Sequence, residues 1–282
     1  MRISDVIKTI EDFAPLSLQE PYDNSGVQIG GNLHDECTGI LLAVDPTPAV
    51  IAEAKKLNCN LIITHHPLLF KGLKSINGSS PVEQAVIDAI RSGVTLYSAH
   101  TSLDRCAGGV SYVIAKILGL QNIRPLEATD NPMIGLGAIG ELDKDYTPAE
   151  FITLVKTAFG SPVVRHTAFS PDCTIRKVAL CGGSGSSLIP DAIAAGAQAM
   201  VTSDTKYHDF VDYSERILIA DIGHFESEKC TKNIFSKVIK EKFPNFAHLY
   251  KATENNPITY MEAIWLQQIK KRTNKIFRLN LA

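Results

Sequence analysis

The residues best equipped for chemistry stand in three short groups. They are the adjacent pair His65-His66 in LIITHHPLLF, His100-x-x-x-Asp104 in SAHTSLD, and His224-x-x-x-Glu228 in DIGHFESE. Imidazoles and carboxylates together form a nitrogen and oxygen donor set suited to zinc, iron, manganese, cobalt or nickel. Three imidazoles (His65, His66, His224) with two carboxylates (Asp104, Glu228) exceed what one catalytic zinc ordinarily takes from protein. Two divalent ions sharing a bridging carboxylate fit that count better. Side chains of neighbours on a regular strand point to opposite faces, so His65 and His66 should diverge. Diverging ligands can serve two ions about 3.5–4 Å apart. Pro67 biases His66 toward extended backbone and ends the strand. The bland reading is that a lone histidine beside a strand is structural; five such residues at expected strand ends argue for a site.

A spacing of four is one helical turn, which lets both side chains of each His-x-x-x-acid pair share a face. The pattern after Glu228 is helical, so His224 is expected just before a helix and Glu228 in its first turn. Four further polar residues fall nearby. His100 and His208 are candidates to move protons, and Asp204 and Lys206 to orient ligands or touch substrate. Surface or capping roles compete for each.

The elements that must position these groups occur twice. In the first half GILLAVD reads as a strand, PTPAVIAEAKKL as a helix opened by proline, NLIIT as a strand and VTLYSAHTSLD as another, with GGVSYVIAKIL a helix. KVALCGG, SSLIPDAIAAG, QAMVTSDTKYH and RILIADIGHFESE repeat the order, followed by a helix through Ile234, Phe235, Val238 and Ile239. Thr64-His65-His66 then corresponds to Thr202-Ser203-Asp204. Continuous apolar strands suit a parallel sheet buried on both faces, and sites in such sheets form beyond the strands' carboxyl ends. The expected class is α/β: two related, interlinked α/β halves with mainly parallel sheets and a metal site between them at strand C-terminal ends. Residues 1–124 form the first half, joined by the C-terminal segment 221–282, and 125–220 form the second. Residues 125–175 read as a strand–helix elaboration of that second half.

Two glycine-rich stretches have rival meanings. Gly135-x-Gly137-x-x-Gly140 matches a dinucleotide fingerprint in letters, but ELDKDYTP follows where a helix should begin. CGGSGSS, from Cys181, sits between strand and helix, where its amides could hold an anion, or where glycine simply allows a tight turn.

Composition narrows the class. The 282 residues are 45% hydrophobic and 21% charged with a formal charge of −2, ordinary for a globular protein and unlike a broad nucleic-acid-binding face. The six cysteines are scattered without a C-x-x-C pair, so they read as reduced thiols. Ile3, Val6, Ile7, Ile10 and Phe13 place a helix at the N-terminus where a signal peptide would lie, and no apolar run reaches membrane-spanning length. No membrane association and a cytoplasmic location are expected.

PYDNSGVQIG, ITHHPLLF, SAHTSLD, VTSDTKYHD and DIGHFESE, in this order, resemble the Nif-three-like family, whose members are often labelled GTP cyclohydrolase I type 2 homologues or dinuclear metal centre proteins. The resemblance runs from the N-terminal helix to about ENNPITYM and leaves the basic tail QQIKKRTNKIFRLNLA beyond it. Tyr22 stands where many members have tryptophan, and the larger central domain of longer members is absent. The resemblance implies a two-metal site with His65, His66, Asp104, His224 and Glu228 as ligands and Glu228 as the bridge. It also implies a toroidal homohexamer with its metal sites facing an internal cavity. The expected function is a divalent-metal-dependent hydrolase that activates water against a small anionic substrate such as GTP, at C8 of the guanine ring. The alternative is a metal-binding scaffold or regulatory protein-interaction protein without physiological turnover.

Overall fold

Residues along the central strands alternate between cores, and this alternation builds the molecule in layers. The computed structural model describes residues 1–261 except Asn32, Ala128 and Pro171. The basic tail, 267–282, lies outside the described residues.

The chain runs α1 (Ile3–Phe13), β1 (Gly26–Ile29), β2 (Ile40–Ala43), α2 (Pro48–Lys56), β3 (Leu61–Thr64), α3 (Pro81–Arg91), β4 (Thr95–Ser98), α4 (Thr101–Arg105) and α5 (Val110–Ile117). It continues with β5 (Gln121–Pro125), β6 (Ala138–Tyr146), α6 (Pro148–Phe159), β7 (Arg165–His166), β8 (Ile175–Ser184), α7 (Ile189–Ala194) and β9 (Ala199–Ser203). Then come α8 (Tyr207–Tyr213), β10 (Leu218–Asp221), α9 (His224–Glu228), α10 (Thr231–Lys242) and β11 (Leu249–Lys251). One sheet has the order β1-β4-β3-β2-β11, the other β5-β6-β8-β9-β10-β7. Neighbours among β2, β3 and β4 are parallel, as are those among β8, β9 and β10, so the two halves repeat at their centres. The mixed α/β class is as expected. The second sheet takes the chain from Gln121 to Asp221, and β11 adds to β2 of the first.

Every second strand residue points to a shared central core, as the pleat requires. Ile40, Leu42, Leu61, Ile63 and Tyr97 enter it from the first sheet, and Val178, Leu180, Ala199, Val201 and Ala220 from the second. The intervening residues Leu41, Ile62 and Leu96 pack outward with α2 and α3, and Ala179, Met200 and Ile219 with α7. Helices fill the space between the sheets: Val6 and Ile10 of α1, Ile114 of α5, Phe151 of α6 and Phe235 of α10 are all buried there.

Two of these helices are exchanged. α5 follows a strand of the first sheet but packs on β8, β6 and β5 of the second. α10 follows a strand of the second sheet but packs on α1 and on β2 of the first. Each half therefore completes the other's core.

Local chemistry sets several helix boundaries. Thr147 caps α6 through the Glu150 N–H, Glu150 reaches back to the Thr147 N–H, and Gly160 ends the helix in the left-handed region at φ 61°. Ser80 and Pro81 start α3 in the same manner. α3, α8 and the edge strand β1 were not expected from the sequence pattern. The single helix expected after His224 is instead two, α9 and α10, separated at Lys229 and Cys230.

Phe235, 1% exposed, sits where an exchanged helix meets the central core. Phe235→Ala is expected to lower stability by about 3–5 kcal/mol. Denaturant unfolding of chelator-treated protein should show this as one shifted transition, because the central core is shared and each half depends on a helix of the other to complete it.

Candidate metal centre

β3 ends at Thr64, so the two histidines emerge just beyond the sheet. Their N–H groups donate to the Ala43 and Val44 carbonyls at 3.3 and 3.0 Å. The hydroxyls of Thr64 and Ser98 donate to the His66 carbonyl at 2.7 and 3.1 Å, fixing the backbone between the rings. The rings lie 5.0 Å apart between centroids and are tilted by 43°. They approach one residue after all, but opposite oxygens of it. His65 Nε2 is 3.5 Å from Glu228 Oε1, and His66 Nε2 is 2.9 Å from Glu228 Oε2.

His224 opens α9 after Gly223 and Glu228 closes it, so one turn places His224 Nε2 2.9 Å from the same Oε2. It had been expected ahead of the helix. Asp104, in α4, brings Oδ1 to 3.7 Å from His65 Nε2. The structure thus brings His65, His66, Asp104, His224 and Glu228 together from both halves of the chain.

What holds the rings explains what they present. Nδ1 of His65 donates to the Ala99 carbonyl at 3.0 Å, Nδ1 of His66 to Asp45 at 2.8 Å, and Nδ1 of His224 to Asp204 at 2.6 Å. A carbonyl or an ionised carboxylate only accepts, so Nδ1 carries the hydrogen and the neutral ring offers an Nε2 lone pair. The cluster is therefore lined with acceptors. His66 and His224 even face each other Nε2 to Nε2 at 3.2 Å. His65 Nε2, Asp104 Oδ1 and Glu228 Oε2 are buried with no hydrogen bond, although two ring nitrogens stand near the last. Buried acceptors that converge without a donor are costly unless a cation or extra protons lie among them. A divalent ion fits this donor set, and the His/Glu cluster could bind metal ions.

Without an ion, protons do that work. Burial opposes charge on His66, but hydrogen bonds to Asp45 and Glu228 outweigh it and hold the ring up at about 10. His224 is held at about 9 against burial by Glu228 and Asp204. Burial would raise Glu228, yet His65, His224 and His66 keep its carboxyl well below the usual range. Asp104 goes the other way, pushed up by burial and by Glu228 beside it.

The glycines of CGGSGSS form a wall of the site. A Cβ on Gly183, whose φ is 63°, would stand 2.2 Å from Glu228 Oε1. The Gly183 N–H donates to Ser227 Oγ and the Gly185 N–H to Thr202 Oγ1, both at 2.9 Å. Those amides serve the fold and are not aimed at a phosphate. The other glycine run, 135–140, leads into strand β6, with no helix to receive a dinucleotide.

His100 adjoins the cluster, with its ring centroid 5.3 and 5.4 Å from those of His65 and His66. Its Nδ1 donates to Asp23 at 2.8 Å, and Asp23 also accepts the Thr101 N–H at 3.0 Å. These contacts overcome burial and hold the Asp23 carboxyl far below its ordinary value. Asp204 orients His224 from a left-handed backbone, φ 53°. Lys206 and His208 are not brought to the cluster by any described contact. They stand exposed at the start of α8, a helix with no buried residue, and His208 packs edge-on against Tyr207.

Sequence reasoning missed Asp45, Asp23 and the Ala99 carbonyl. A signal for Asp45 existed: β2 pairs with β3 in the register Ala43↔Thr64, and two residues on, Asp45 falls opposite His66.

Comparison with known proteins places this geometry in a group. The family model Duf34/NIF3 (NGG1p interacting factor 3) matches residues 1–257. A Clostridium perfringens protein named GTP cyclohydrolase 1 type 2 homolog is 38% identical over 247 residues, covering 86% of this chain and 92% of its own. A Clostridium acetobutylicum protein of the same name is 34% identical, covering 92% and 94%. A solved Bacillus cereus protein related to NIF3 shares the fold with a TM-score of 0.87 at 24% identity, covering 93% of this chain and 99% of its own.

Three outcomes follow from the donor set. Metal-stripped protein should lose thermal stability as pH rises from about 6.5 toward 10. His66 and His224 are held above their unfolded value, so their contribution is complete below 6.5 and lost through 9 and 10. Added divalent metal, which displaces those protons, should stabilise more as pH rises, seen as a widening gap between loaded and stripped melting temperatures. Gly183→Ala should cut metal affinity about tenfold or more by displacing Glu228, measured by metal titration of folded protein.

Proposed function

The chain belongs to the Duf34/NIF3 family, and on that premise we propose that it is a divalent-metal-dependent hydrolase with a dinuclear centre. The supporting observation is how Glu228 divides its carboxylate. Oε1 faces His65, with Asp104 beside it, while Oε2 faces His66 and His224. One ion would be held by His65, Asp104 and Glu228 Oε1, and the other by His66, His224 and Glu228 Oε2. Zinc, iron, manganese, cobalt and nickel all suit these donors. When bound, such a pair activates water and polarises an electrophilic carbon or phosphorus.

The chain's own residues supply the rest. Asp104 and Glu228 offset two of the four positive charges, leaving about +2 to attract a small anionic substrate. Asp45 and Asp204 lie behind the imidazoles and keep Nε2 of His66 and His224 turned inward. His100 is the proton carrier: Asp23 holds its Nδ1, leaving Nε2 to exchange a proton beside the cluster. His208, Lys206 and Asp204 are the less central members of the set, and only Asp204 touches a ligand. The relatives' name supports a nucleotide such as GTP as substrate, with C8 of its guanine ring as the proposed electrophile. The proposal includes a homohexamer, for which native mass is the direct measurement.

The test is turnover by metal-loaded protein on GTP and on a panel of phosphoesters. Hydrolysis of any of them supports the enzyme reading. No turnover at confirmed metal occupancy overturns it and leaves a metal-binding scaffold. His100→Ala should lower turnover by about 10²-fold or more with metal content unchanged, whereas Glu228→Ala should lose both.

A further inference from the structure

The chain leaves β11 and crosses the seam between the two halves, touching both as it goes. The Ala252 N–H donates to the Leu42 carbonyl at 2.7 Å, continuing the edge of the first sheet. Glu254 then turns its carboxylate onto the loop after β2. Oε1 accepts the Val44 and Asp45 N–H groups at 3.1 and 3.0 Å, and Oε2 accepts the Val44 N–H at 2.9 Å. Lys232 of α10 closes on the same carboxylate at 2.9 Å, with both side chains largely buried. Two residues on, Asn256 Nδ2 donates to both oxygens of Glu226 at 2.9 Å. Glu226 is buried in α9, between His224 and Glu228.

These contacts end on parts that aim the ligands. The peptide held by Glu254 carries Asp45, whose carboxylate fixes Nδ1 of His66. The helix held by Asn256 carries His224 and Glu228. His65 is reached only through its backbone, whose N–H donates to the carbonyl of the Ala43–Val44 peptide; the Ala99 carbonyl fixes its ring, and Asp104 rides on α4.

We propose that Glu254 and Asn256 form a positioning strap for the donor set His66, His224 and Glu228, with the His65 ring and Asp104 aimed by other contacts. His66 comes from the first half, and His224 and Glu228 from the second, so their mutual geometry depends on how the halves meet. A carboxylate bound to two backbone amides and an ammonium is a stiff joint, because each partner restrains it from a different direction. An amide bonded to both oxygens of a buried glutamate adds a second joint to the same short segment. The strap thus bears on all three donors at one metal position and, through Glu228, on only one of the three at the other. The inference rests on the two-ion reading.

The experiment titrates metal-stripped wild-type protein, Glu254→Ala, Glu254→Gln and Asn256→Ala with cobalt(II), following heat and the visible spectrum. Wild type is expected to take two ions per chain. Glu254→Ala and Asn256→Ala should weaken one of them by about 10- to 100-fold, as loss of a ligand's supporting contacts does. The other ion shares only Glu228 with the strapped donors and should weaken by about threefold or less, and Glu254→Gln, which keeps an acceptor oxygen, should fall between. A uniform loss at both positions, or no loss at either, overturns the strap. Should Glu254→Ala fail to fold, Asn256→Ala decides by the same criterion. A wild type that binds a single ion overturns the two-ion reading alone; the strap then survives only if both alanine variants weaken that ion tenfold.

Discussion

Acceptors pointed at acceptors are the constraint on which the site depends. Three imidazole nitrogens and the oxygens of Asp104 and Glu228 converge in a largely buried space, and each ring is turned so that it has no hydrogen to give inward. No folded chain keeps such an arrangement without positive charge among the atoms. Protons supply it when metal is absent, which is why His66 and His224 hold theirs so firmly. The orienting acceptors, the glycine wall and the crossing of the two halves all keep these lone pairs aimed at one another.

The layered architecture makes that aim possible. Short strands bring His65, His66 and the start of α4 to the carboxyl ends of one sheet, and β10 brings α9 to those of the other. The central core between the sheets is filled by helices that each half lends to the other. Rigid packing across the seam then transmits to the ligands. The same repeat gives its copies different work: His66 follows the first half's strand as a donor, whereas Asp204 follows the equivalent strand and holds a donor in place.

Legibility in the sequence followed the range of the interaction. The His-x-x-x-acid pairs were readable because one helical turn is a local rule, and His65, His66, Asp104, His224 and Glu228 meet in the structure. The continuous apolar strands were readable because a run buried on both faces is also local in the chain. Asp45 was not, since its role depends on parallel pairing between strands separated by a helix. Gly183 had two readings, an anion loop or a tight turn, and neither contained its role beside Glu228, which is distant in sequence and needs its space. The break between α9 and α10 was hidden because residues on both sides of it suit a helix. His208 and Lys206 shared the neighbourhood of Asp204 in sequence, but α8 carries them on an exposed surface.

The exchange of α5 and α10 also changes the order of the assembly reaction. Two separate units that complete each other's cores must meet by diffusion, so the fraction assembled falls on dilution. Joining them in one chain replaces that encounter with a local concentration set by the connecting segment. The clustered histidines and carboxylates drawn from both halves therefore come together at any protein concentration, and the cluster's formation within a chain is first order.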